Sequence, residues 1–336
     1  SLAQAGYDVT VFAVGGNTDA DVPGVKLVSE APSADRGLLA RTMLLPALVK
    51  AVVRWRPHIV SCQEPESAAA GLLVRYLTGA KLHFDVHELF HESLSSRMPR
   101  LIRPTVRGLS LMLLRFLGRQ ADWITVVSPA NMDFYTPLQK HRRVDIIHNS
   151  PRPEDFPQSN QDTDGPVRIC HEGNLSQNRG MVQMLQAAAI ANKQVDMRLV
   201  LLGRVVSCDQ ALFDRTVESL GIREIVEGPQ WINYKELGKS VAQSQIGIIA
   251  MQPTPNNYLS LSNKLYNYMA CGMPLMAPLG SASADLINKY DSGLVVDTTS
   301  PDDIAAAMVT LAQDVSMRKR LGANGRGAIA NDLGWH

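Results

Sequence analysis

The chain has 336 residues, 45% hydrophobic and 19% charged, with a formal net charge of +1. That length favours two domains over one, the near-neutral charge argues against a nucleic-acid partner, and no apolar run reaches the roughly 20 residues that a membrane span needs. The four cysteines, Cys62, Cys170, Cys208 and Cys271, form no metal-type pair and read as small buried hydrophobes of a reducing compartment.

Ser1–Gly6 reads as the tail of a helix, followed at once by a strand over Asp8–Val14. No signal-peptide pattern is legible, and the chain stops abruptly at Asp332–His336. The expectation is a fragment lacking an opening strand, its loop and a closing helix. Further strands are expected at His58–Cys62, Lys81–Phe84, Trp123–Val127 and Val144–Ile147, with helices such as Arg36–Arg54 and Glu66–Tyr76 between them. Strands alternating with helices predict a doubly wound parallel sheet.

Ser150–Pro166 interrupts the pattern. It holds four prolines among Ser, Asn, Gln, Asp and Gly, with Phe156 its only large apolar residue, and reads as a linker. The alternation then resumes. Strands are expected at Val167–Cys170, Met197–Leu202, Gly247–Ala250, Leu275–Ala277 and Leu294–Val296, and helices at Gly180–Ala191, Asp209–Leu220, Lys264–Ala270 and Pro301–Ala312. Two Rossmann-like α/β domains follow, 1–155 and 156–336, with an expected cleft between them where strand carboxyl ends gather ligands.

Four segments carry candidate chemistry. In Ser260–Pro278 a helix begins near Ser262 or Asn263, which are good caps, and ends at Cys271-Gly272. Its free N–H groups, positive dipole end and Lys264 suit a diphosphate. A buried helix without a ligand fits the same pattern. In His171–Gly180, Gly173 permits a tight turn and Arg179 offers a fork for phosphate, or else is a plain surface arginine. Phe84–Glu92 gathers Asp85, His87, Glu88, His91 and Glu92 after a strand. His87-Glu88-Leu89-Phe90-His91 matches H-E-x-x-H literally, so a zinc hydrolase is one reading, set against the βαβ context and the two lobes it leaves unexplained. Arg97–Arg119 carries six arginines and no acid among dense apolar residues. It is either a core-facing helix with a solvated arginine face or a peripheral contact with an anionic membrane. No G-x-G-x-x-G follows an expected strand, which weakens a nicotinamide enzyme.

At these residues the chain resembles the family 4 glycosyltransferases of the GT-B fold. SLAQAGYDVTVFA resembles the family's first helix end and second strand, FDVHELF its histidine loop, HEGNLSQNRG its phosphate turn, and SNKLYNYMACGMPLMA its donor-binding segment. The resemblance implies two Rossmann-like domains facing a cleft, the donor on the second and the acceptor on the first. It also implies transfer from a UDP- or GDP-linked sugar to a sugar or lipid-linked hydroxyl, with retention and with neither metal nor cofactor, in polysaccharide or glycolipid synthesis. The expected location is the cytoplasm, in the soluble phase or on the inner membrane face. Gly173, Asn174, Arg179, Asn263, Lys264 and Asn267 would bind the donor, and His87 would be the catalytic residue beside the transferred sugar. Two departures stand out. Asn267 replaces a glutamate and Asn174 an arginine, and the first exchange costs about 1 kcal/mol if a charged hydrogen bond becomes a neutral one. The alternative reading is a degenerate GT-B scaffold that serves as a binding partner.

Overall fold

The computed structural model describes residues 2–3, 5–13, 23–29, 45–96, 98–139 and 144–334. The chain divides into two compact units, 1–147 and 148–336. At the start, Gly6 takes φ 87°, its N–H donates to Ala3 O at 3.1 Å and Tyr7 N–H donates to Leu2 O at 3.1 Å, the bonding of a helix C-terminus. Residues 36–44 of the expected Arg36–Arg54 helix, Val14 and Arg97 lie outside the described residues.

In the first unit, β1 (Val9–Ala13) pairs in parallel with β2 (Val25–Ser29). β3 (Ile59–Cys62), β4 (Lys81–Val86), β5 (Trp123–Val126) and β6 (Val144–Ile146) form a second parallel sheet in that order. Helices span Leu45–Trp55, Pro65–Thr78, Phe90–Ser96, Arg103–Gln120 and Pro129–Tyr135. The Pro65–Thr78 helix starts where Pro65 pre-sets the turn and the Ser67 hydroxyl accepts from Glu64 N–H at 3.0 Å, and Gly79, at φ 78°, closes it. Leu82, Phe84, Ile124 and Val126 pack with Leu114 and Leu117 into the main core of this unit.

The second unit holds one six-stranded parallel sheet ordered β12-β11-β10-β7-β8-β9. Its strands are β7 (Val167–Glu172), β8 (Met197–Leu202), β9 (Val226–Gln230), β10 (Ile246–Ile248), β11 (Leu275–Pro278) and β12 (Gly293–Val296). From β7 the chain winds to one edge through β8 and β9, then restarts beside β7 with β10 and winds to the other. The reversal is a topological switch point, and ligands of such sheets sit at the carboxyl ends of the strands there. Successive β7 residues face opposite cores. Ile169 packs with Met184, Leu185 and Met308, and Cys170 with Leu265, Tyr268 and Met269.

Three sequence readings are corrected. β2 and β9 were not expected. β9 reads Val-Glu-Gly-Pro-Gln, a composition that argues against a strand, yet it forms the sheet edge, where a proline is tolerated. The proline-rich Ser150–Pro166 segment is not a free linker. Phe156 is 1% exposed inside the second unit's core, Ser159 N–H donates to Cys271 O at 2.8 Å, and the fully buried Arg318 donates to Gln161 O at 3.0 Å. Arg318 also caps the carbonyls of Leu311 and Ala312 at 2.8 and 2.7 Å. Finally, Cys208 is exposed, whereas Cys62, Cys170 and Cys271 are buried, where burial pushes the Cys62 and Cys271 thiols up to about 12.

Candidate functional site

The switch point of the second unit carries most of the predicted donor residues. β7 ends at His171–Glu172, and Gly173 turns the chain with φ 95°. This glycine is held by its N–H, which donates to Leu202 O at 2.8 Å. A Cβ on Gly203, just past β8, would lie 2.0 Å from Gly173 O, so the two loops pack backbone against backbone. Beyond Gly173 a short 3-10 turn, Gln177–Arg179, leads through Gly180, at φ 72°, into the Met181–Ala191 helix. Asp209 pins the turn, accepting from Gln177 N–H at 3.0 Å and from its Nε2 at 2.7 Å.

Two cations converge on the open side of Gly173. Arg179 Nη1 and Lys264 Nζ lie 3.6 and 3.7 Å from the position a Cβ would take there. Lys264 is the second residue of the Asn263–Ala270 helix and only 4% exposed, and its Nζ has no hydrogen-bond partner. Burial first, and the Arg179 charge second, lower its pKa to about 8. Burial likewise lowers Arg179. Behind them His171 is buried and held neutral, its pKa pushed far down by burial and then by Lys264 and Arg179. A buried ammonium without a partner, beside a guanidinium, is costly until an anion joins it. Ser262 caps the Asn263–Ala270 helix by position, but its side chain makes no capping bond, and a helix start leaves its first N–H groups without intrahelical partners.

Glu172 was not singled out from the sequence. Its carboxylate accepts from Asn267 Nδ2 at both oxygens, at 3.0 and 2.9 Å, while its backbone N–H donates to Tyr268 OH at 2.8 Å. Burial raises the Glu172 pKa against the opposing effects of the Asn267 bond and the Lys264 charge. The sequence reading took neutral Asn267 as a lost charge. The fold instead places a carboxylate against it, supplied by the neighbouring strand. Asn174 and Asn263 are exposed, the first in the turn after Gly173 and the second at the helix tip. Gly173, Arg179 and Lys264 therefore come together, with Asn267 joined to them through Glu172.

His87 belongs to the first unit. It is exposed after β4, and its Nε2 lies 2.9 Å from Asp85 Oδ2, in a recess that Glu64, Glu88 and Tyr135 also line. The H-E-x-x-H match does not form a two-histidine helix face. The helix begins only at Phe90, so His87 lies in the preceding loop, while His91 is buried and stacked on Phe134 at 5.6 Å. Among the described residues no group of three His, Cys, Asp or Glu side chains is arranged to hold a metal ion.

Paired units of parallel sheet flanked by helices, the second bearing a glycine turn and a helix start at its switch point, define a GT-B glycosyltransferase. Residues 1–150 match the glycosyl transferase 4-like domain and residues 151–328 the glycosyl transferases group 1 model. The chain belongs to the glycosyl transferases group 1 family. Among curated proteins it is 21% identical over 268 residues to an uncharacterized glycosyltransferase of Methanocaldococcus jannaschii, an alignment covering 76% of this chain and 67% of that protein. It is 22% identical to the D-inositol 3-phosphate glycosyltransferase of Paenarthrobacter aurescens over 66% of this chain, and spans about half (51%) of that relative. Among solved structures, sucrose-phosphate synthase of Thermosynechococcus elongatus shares the fold with a TM-score of 0.82 at 17% identity, covering 99% of this chain and 87% of that one. Anabaena HepE in complex with UDP-glucose shares it with a TM-score of 0.69 at 15% identity, covering 92% and 82%.

Proposed function

We propose that the chain moves a sugar from a nucleotide-sugar donor, UDP- or GDP-linked, to a hydroxyl of a sugar or lipid-linked acceptor, with retention and without a metal or cofactor. The observation that carries this reading is the convergence of Arg179 and the unpartnered, buried Lys264 on Gly173. A diphosphate bridging them relieves the buried charge and accepts the free N–H groups of Asn263 and Lys264. Negative charge grows on the leaving diphosphate as the sugar departs, so cations already in place stabilise the transition state more than the ground state. The chemistry then rests on positioning, with the leaving phosphate oxygen taking the acceptor's proton. HepE, solved with UDP and with UDP-glucose, supports a nucleotide sugar as donor.

Calorimetry with UDP and GDP tests this. One of them binds the native chain, and Arg179→Ala or Lys264→Met weakens that binding about 10- to 100-fold, the effect of losing one charge-assisted contact. Binding that both variants leave unchanged refutes the assignment. The degenerate-scaffold alternative rested on Asn267 and Asn174, and the carboxylate of Glu172 beside Asn267 removes half of that support.

We also propose that the acceptor is met at a membrane surface. Leu109, Met112, Leu113 and Phe116 form an exposed stripe at helical spacing on the Arg103–Gln120 helix, whose opposite side buries Leu114 and Leu117. Arg115 and Arg119 on the same helix, and Arg100 and Arg103 at its start, are exposed. No described helix is long and apolar enough to cross a membrane. The stripe suits an interfacial contact with anionic lipid.

A further inference from the structure

The end of β7 and the Asn263–Ala270 helix are joined at Glu172 twice. The backbone N–H of Glu172 donates to Tyr268 OH at 2.8 Å. The Tyr268 ring is fully buried in a notch that exists because residue 247 is glycine: a Cβ there would stand 2.3 Å from Tyr268 Cδ2. Seated this way, the helix turns Asn267, the neighbour of Tyr268 in sequence, toward the Glu172 side chain. Both carboxylate oxygens then accept from Asn267 Nδ2, at 3.0 and 2.9 Å. A carboxylate only accepts, so it selects the NH2 end of the amide; the flipped amide would set Oδ1 against two anionic oxygens. With Nδ2 engaged by Glu172, Asn267 has Oδ1 left to offer, and that oxygen accepts no bond from any described residue.

Asn267 follows Lys264 by three residues and Asn263 by four, so it shares their face of the helix. Lys264 Nζ stands beside Gly173, the residue directly after Glu172. A diphosphate held by Arg179, Lys264 and the helix start therefore carries its attached sugars within about one helical turn, roughly 5 Å, of Asn267. Phosphate oxygens are acceptors and are repelled by Oδ1, whereas a sugar hydroxyl brings the proton that Oδ1 lacks.

We propose that Glu172 is a positioning residue of the donor site: it holds the Asn267 carboxamide by its nitrogen, so that Oδ1 accepts a hydroxyl proton from a sugar of the bound donor, the pentose or the transferred hexose. The proposal rests on the sugar-transfer reading and deepens it. The negative charge lost at position 267 is moved one layer back, to the strand, and acts through a neutral acceptor. The cations at Gly173 take phosphate and Oδ1 takes a hydroxyl, so together they set the register of the donor along the helix. Without Glu172 the amide is free to turn and to offer its NH2 to a phosphate oxygen, and the preference for a hydroxyl is lost.

Calorimetry with ligands of equal charge that differ by one hydroxyl tests this. UDP against 2′-deoxy-UDP and 3′-deoxy-UDP probes the pentose, UDP-glucose against its monodeoxyglucose counterparts probes the transferred sugar, and the guanosine analogues serve if GDP is the nucleotide bound. In the native chain at least one pair differs about 3- to 10-fold, the effect of one neutral hydrogen bond. Glu172→Ala brings that pair to within about twofold. The reciprocal variant, Glu172→Gln with Asn267→Glu, restores the difference, because the glutamine amide now donates and the glutamate accepts the hydroxyl. A Glu172 with a merely structural role would weaken both members of a pair together and keep their ratio. A ratio unchanged in Glu172→Ala, or no native pair that differs, overturns the proposal while leaving nucleotide binding intact. The pin itself is read in the ligand-free, ¹⁵N-labelled chain: the Asn267 NH2 exchanges with water about tenfold or more slowly than that of the exposed Asn174, and Glu172→Ala removes the protection. Equal exchange of the two amides in the native chain also overturns the proposal. If neither UDP nor GDP binds, the sugar-transfer reading fails and the donor contact falls with it, while the exchange measurement still judges the Glu172–Asn267 pin.

Discussion

Restoring a glutamate at position 267 is expected to harm this chain rather than improve it. The Asn267 amide nitrogen lies 3.0 and 2.9 Å from the two oxygens of Glu172, so a carboxylate in its place meets another at hydrogen-bond distance. With both ionised, 3 Å apart and at an effective dielectric of 20, the repulsion is about 5–6 kcal/mol. The pair avoids that by keeping one proton. Holding a carboxyl with an ordinary value of 4.5 protonated at pH 7 costs about 3 kcal/mol, before any relief from Lys264. The sign follows from linkage. The folded pKa is raised, so the folded variant keeps a proton that the unfolded chain has released, and the penalty grows as pH rises above 4.5. Urea denaturation of Asn267→Glu therefore shows a loss near 3 kcal/mol at pH 7 and less than about 1 kcal/mol at pH 5. Adding Glu172→Gln removes the clash and recovers most of the loss, a coupling of about 2 kcal/mol or more in the double-mutant cycle. An Asn267→Glu variant as stable as the native chain at pH 8, or a double variant no better than the single one, refutes the reasoning.

Three further outcomes are expected. Lys264 is lowered to about 8, so nucleotide binding by the native chain weakens as pH rises through about 8, while Lys264→Met shows no such limb; calorimetry across pH 6.5–9.5 reads it. Arg318→Ala strips the cap from three buried carbonyls and loosens the 150–166 segment, with a loss of about 3–5 kcal/mol in urea denaturation of the second unit. Replacing both Leu109 and Phe116 by aspartate abolishes flotation with vesicles containing about one third anionic lipid, without moving the thermal midpoint by more than a degree or two, because both side chains are exposed.

The parallel-sheet architecture was legible because most strands are short apolar runs bounded by helix caps and glycines, and Met197–Leu202 was placed to the residue. The elements that escaped had local chemistry opposed to their tertiary setting. β9 contains Gly228-Pro229 and survives only because the sheet ends there. The 150–166 segment has a linker's composition, yet the burial of Phe156 and the bond from Arg318 to Gln161 O tie it down. At the site, Gly173, Arg179 and Lys264 could be read from a glycine turn and a helix start, which are local signals. Glu172 could not, since a lone acid at the end of an apolar strand reads as a rim residue until the helix carrying Asn267 is laid beside it. The clue was available in retrospect: an acid that ends the strand directly before the turn glycine.

The exposure of Cys208 has a practical use. The other three thiols are buried and shifted toward the unreactive protonated form, so a maleimide dye attaches at a single address. That address adjoins Asp209, the anchor of the turn bearing Arg179. A fluorophore there becomes a reporter on the loop itself, able to register nucleotide arrival in real time without any engineered cysteine.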